Sequence, residues 1–189
     1  MPRAEPGISK PLLPQGAELV APPTPARVYV SLAMALAATL LPWADGMLWL
    51  VPDFTLMALL YWSIRAPRLA GLGVACLLGL VTDVAAGVLM GLNALAYCAA
   101  TFVILMVRRR LEGFDVPRQA LQLAPLLLGK EALVLLAGLM LGLPQADWRW
   151  LAAGLVAALL WLPLAWLMDR LTGYTRVAAQ GEAGPRVRV

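Results

Sequence analysis

The apolar residues of this chain come in blocks rather than in one-sided stripes. Six blocks cover residues 28–41, 47–64, 69–86, 88–107, 120–143 and 150–168, parted by short groups rich in charge, proline or glycine. A helix needs roughly 20 apolar residues to cross about 30 Å of hydrocarbon. A helix that is apolar all round belongs in a core or a membrane rather than at a water interface. The pattern predicts an all-α, polytopic membrane protein of six transmembrane helices over residues 27–172. A proline-rich tail (1–26) and a polar tail (173–189) flank it, both expected to be cytoplasmic, and the first to be disordered.

Composition agrees. The 189 residues are 61% apolar and 14% charged, with mean hydropathy +0.78, whereas a soluble domain is about half apolar and a quarter charged. No length remains for a soluble catalytic domain. The net charge of +4 is not spread as a nucleic-acid surface would be. Thirteen of the fifteen Lys and Arg residues fall in the two tails or at their edges (Arg27, Arg170) and in the connections at 65–68 and 108–118, leaving Arg149 on the other side and Lys130 inside the fifth block. Under the positive-inside rule this asymmetry puts those connections in the cytoplasm and requires an even number of crossings. Both termini are therefore expected on the cytoplasmic side. The first 26 residues have no apolar core and carry seven prolines, so no cleavable signal peptide is expected.

Candidate chemistry is sparse. The absence of histidine removes Ser-His-Asp and Cys-His pairs and every His-based metal site. Cys76 and Cys98 lie inside apolar blocks and read as packing residues. With no nucleophile motif, metal-ligand spacing or phosphate loop, neither an enzyme nor a cofactor or metal is expected.

Four ionisable residues remain as partner-binding or structural polar groups: Asp53, Asp83, Lys130 and Glu131. Pro52-Asp53 breaks the second block, so its helix is expected to start near Asp53, whose carboxylate can cap it. Residues 47–51 then form an interfacial segment anchored by Trp49. Asp83 falls near the end of its helix, beside a tight Gly87 turn whose exposed amides it could bind. Lys130 and Glu131 are neighbours, about 100° apart round a helix, so each is expected to find its partner elsewhere. Gly79, Gly87, Gly91, Gly138 and Gly142 are expected to let helices approach closely, and Pro163 to break or kink the last helix.

The stretch from Pro52-Asp53 to Tyr61-Trp62, followed by Pro67 and by Gly79-x-x-x-Asp83-x-x-x-Gly87-x-x-x-Gly91, resembles the rod shape-determining MreD family. The resemblance covers about residues 28–172, with Val51 standing where members usually carry a basic residue. It implies a non-catalytic, multi-pass component of the bacterial inner membrane, belonging to the cell-elongation machinery. Its implied partners are MreC and, through it, MreB, RodA and the elongation transpeptidase, with no small-molecule ligand. It also implies a bundle similar to the substrate-binding components of energy-coupling-factor vitamin transporters, which makes a small-molecule carrier the alternative. In that case Asp53, Asp83 and Glu131 would line a pocket near the outer face.

Overall fold

A computed structural model describes residues 23–43, 50–112, 114, 116–142 and 148–172. The tails beyond these bounds, the interfacial segment expected around Trp49 and the turn after the fifth block lie outside the described residues. Those described fold into six α-helices with no strand among them: α1 (Pro25–Thr39), α2 (Phe54–Arg65), α3 (Leu72–Ala86), α4 (Leu92–Glu112), α5 (Val116–Met140) and α6 (Leu151–Thr172). A single 3₁₀ turn, Trp148–Trp150, leads into α6. Three segments are long and apolar enough to cross a membrane: Leu92–Leu111, Val116–Met140 and Trp148–Leu171.

Local chemistry sets the boundaries. Pro25 opens α1, where its missing N–H costs nothing, so helix begins inside the segment expected to be tail. Asp53 caps α2 by accepting the Leu56 amide at 2.9 Å. α3 ends on Gly87 at φ +62°, and the Val88 amide turns back onto the Asp83 carbonyl at 3.2 Å. A left-handed residue of this kind closes many helices and suits glycine.

α2 is the axis of the fold. Thr55 to Ile64 are all buried, so this 12-residue helix has no outward face. α1, α4 and α6 pack around it, while α3 pairs with α4 and α5 with α6. Trp62 and Trp161 are the largest of its core side chains. The Trp62 indole N–H donates to Ser31 at 2.7 Å, and the Thr55 amide and hydroxyl both donate to Thr39 Oγ1 (3.0 and 2.9 Å), tying α1 to α2. At the far end of α2, Asp169 of α6 accepts from the Tyr61 hydroxyl at 2.7 Å and pairs with Arg65 at 3.1 Å.

Several sequence expectations are corrected here. Gly79 has the close approach expected: a Cβ there would overlap the backbone of Ala94, lying 2.6 Å from its nitrogen. Gly87, Gly91 and Gly142 face open space and instead have φ of +62°, +98° and +66°. They serve the turn between α3 and α4 and the end of α5, which need left-handed backbone rather than small volume. Gly138 is buried on α5. Pro163 does not break the last helix, because α6 runs through it, as α5 runs through Pro125. One lost hydrogen bond does not end a long apolar helix whose flanking turns remain bonded and packed.

Candidate functional site

The four ionisable residues inside the apolar blocks gather in one region of the bundle. Asp53, at the start of α2, is 6% exposed and fully engaged. Its Oδ1 takes the Leu56 amide, while its Oδ2 takes the Tyr97 hydroxyl of α4 at 2.6 Å and the Lys130 ammonium of α5 at 3.2 Å. The Tyr97 distance is that of a charge-assisted O–H···O⁻ bond. Lys130 also reaches Glu131 Oε1 at 3.1 Å. One ammonium thus sits between two buried carboxyl groups from different helices, an arrangement worth keeping only where the geometry is good and the lone pairs are used.

The direct contact between Lys130 and Glu131 overturns the expectation that these neighbours cannot pair. That expectation rested on where their Cβ atoms lie around the helix. The four-carbon stem of lysine, drawn towards Asp53 across the gap from α5 to α2, carries its charge round to the side on which Glu131 also lies.

Asp83 forms a separate centre. It is completely buried, and it caps the helix that follows rather than its own. Its Oδ2 accepts the amides of Gly91 (2.8 Å) and Ala94 (3.3 Å), and its Oδ1 accepts the Asn93 amide (2.8 Å) and the Asn93 side-chain NH₂ (2.9 Å). These amides form the N-terminus of α4, where unsatisfied N–H groups and the helix dipole both favour a negative charge. Gly91 at positive φ turns the chain so that they point at the carboxylate.

Between these centres lies a cavity of about 320 Å³. Asp53, Lys130 and Glu131 form its charged wall, with Thr39, Thr82 and Asn93 beside them. Leu89, Leu92, Val134, Leu135 and two tryptophans, Trp43 and Trp150, make the rest mainly apolar. Asp83 is not in this lining, so the cavity brings together three of the four ionisable residues singled out in the sequence. Tyr97 and Asn93 were not singled out. The signal available was that both are polar residues inside an apolar block. Gly154 was also passed over: a Cβ there would come within 3.1 Å of Leu128 Cα, so it marks a close approach of α5 and α6.

The sequence model of the rod shape-determining protein MreD family matches residues 26–171, the whole described bundle. The chain belongs to the MreD family. A rod shape-determining protein MreD of Haemophilus influenzae is 26% identical over 137 residues, covering 72% of this chain and 84% of that protein. No solved structure matches the chain. Membership of the MreD family, with the three apolar helices, makes this a membrane protein with a role in rod shape determination. Among the described residues of this MreD chain, no group of three His, Cys, Asp or Glu residues is placed to hold a metal ion.

Proposed function

We propose that the chain is a non-catalytic, six-span component of the inner membrane that binds MreC and supports lateral peptidoglycan synthesis by the cell-elongation complex. Through MreC it would act alongside MreB, RodA and the elongation transpeptidase. The observation that carries this reading is the family match over the entire bundle. The orientation, with both termini in the cytoplasm, rests on the clustering of Lys and Arg in alternate connections.

The shortness of α2 is compatible with six crossings. Twelve helical residues rise about 18 Å, short of the roughly 30 Å of hydrocarbon. The non-helical residues Val51, Pro52 and Asp53 precede it and add about 10 Å at some 3.3 Å each. Irregular backbone is tolerated at membrane depth only where protein buries it or it lines a cavity. Pro52 and Asp53 are buried, and all three residues line the cavity.

The test is deletion of the gene in its rod-shaped host, together with mass spectrometry of what copurifies with the tagged protein in mild detergent. Rounding of the cells and recovery of MreC are the expected results. Normal rods would refute the reading, and recovery of a transporter ATPase module in place of MreC would replace it with the small-molecule carrier.

A further inference from the structure

A scaffolding role makes no use of the 320 Å³ cavity, whose size falls within the range of small-molecule sites. Its hydrogen-bonding inventory leans towards acceptors. Asp53 already accepts three donors. Glu131 is only 5% exposed yet accepts from Lys130 alone among the described residues, through Oε1. Asn93 gives its backbone N–H and one side-chain N–H to Asp83, and its carbonyl oxygen remains as an acceptor. Counting one unused N–H each on Lys130 and Asn93, the polar wall still offers more spare acceptors than donors, and its two carboxyl groups outnumber its one ammonium. The remaining wall is apolar.

We propose that this cavity is a binding site for an amphiphilic primary amine. The ammonium, with three N–H donors, would bind the Glu131 carboxylate and the Asn93 carbonyl. The apolar part would lie against Leu89, Val134, Leu135 and Trp150. A buried carboxylate with unused lone pairs is costly, and a charged donor offsets that cost where an apolar or anionic guest would add to it. Two sources present the same chemistry, an aminolipid headgroup and a soluble amphiphilic amine. The inference rests on the cavity alone and is independent of the partners proposed above.

The test uses the purified full chain in dodecyl maltoside, read by native mass spectrometry and thermal unfolding. The probes are octylamine, octyltrimethylammonium, octanoate, phosphatidylethanolamine and phosphatidylglycerol. One octylamine should bind per chain and raise the unfolding temperature. Octyltrimethylammonium, which has the charge but no N–H, and octanoate should do neither. Glu131→Gln should weaken octylamine binding about tenfold or more, since hydrogen bonds to charged groups contribute about 1.5–3 kcal/mol. Val134→Trp, which fills the cavity without touching the charges, should abolish binding and carries the test if Glu131→Gln fails to fold. Glu131-dependent retention of phosphatidylethanolamine over phosphatidylglycerol would identify a lipid source; octylamine binding without it would identify a soluble amine. Equal binding of all three octyl probes, no octylamine binding, or octylamine binding unaffected by Val134→Trp would overturn the proposal.

Discussion

Replacing Asp83 by alanine should destabilise the protein more than its distance from the cavity's charged wall suggests. The carboxylate is wholly buried and receives four N–H groups, three of them from the backbone that opens α4. A solvent-exposed N-cap contributes about 1 kcal/mol, because water replaces it. Here water does not reach the site, and each orphaned buried donor costs about 1–3 kcal/mol. The Ala94 bond is long, and the freed Asn93 amide can turn towards the cavity, so two short backbone bonds dominate and the loss comes to about 4 kcal/mol. For a chain of this length about 2–4 °C of Tm accompanies each kcal/mol, which gives a fall of about 8–16 °C in detergent. Asp83→Asn keeps one accepting oxygen but turns an NH₂ towards backbone donors, and should fall between the parent and the alanine variant. Amide hydrogen exchange should rise at residues 91–94 first, with α5 and α6 still protected. A Tm for Asp83→Ala within about 2 °C of the parent, or unchanged exchange at the start of α4, would refute this account of how the hairpin of α3 and α4 is held.

Two further outcomes follow from the same geometry. Gly79→Ala drives a methyl group into the backbone of Ala94 and should cost about 1–3 kcal/mol as overpacking. Gly87→Ala, at φ +62° with open space around it, should cost about 1 kcal/mol; thermal unfolding that ranks them the other way would contradict the distinct roles assigned to these glycines. Lys130→Met removes the cation shared by Asp53 and Glu131 and should cost about 3–5 kcal/mol. Adding Glu131→Gln to it should restore part of that stability, and a double variant less stable than Lys130→Met would show that the two carboxyl groups do not repel.

What the sequence made legible was whatever depends on near neighbours. The six blocks, the start of α2 at Pro52-Asp53 and the end of α3 before Gly87 follow from apolar runs and from residues that start or stop helices. Contacts between distant segments were not legible. Nothing near Lys130 in the chain announces Asp53, and nothing near Tyr97 announces that its hydroxyl meets the same carboxylate. Repeated glycine spacing was ambiguous for a physical reason. Glycine is used both where a neighbouring backbone comes close, as at Gly79, and where φ is positive, as at Gly87 and Gly91, and the spacing is the same for both. A break at Pro163 was not legible either way, because a proline's local cost takes no account of the turns on either side that carry α6 through it.

The enclosure of α2 also bears on how the protein is made. A 12-residue helix is too short to cross the hydrocarbon by itself, so its place depends on the helices around it. Of these, α1 precedes it during synthesis, whereas α4 and α6 follow, and Asp169, which fastens Tyr61 and Arg65, lies near the end of the described chain. The centre of the bundle is therefore emitted early from the ribosome and enclosed last. Until α6 arrives, the side of α2 that carries Tyr61 and Arg65 lacks the partner that covers it in the finished fold, which makes that interval the time at which quality-control proteases have most to recognise.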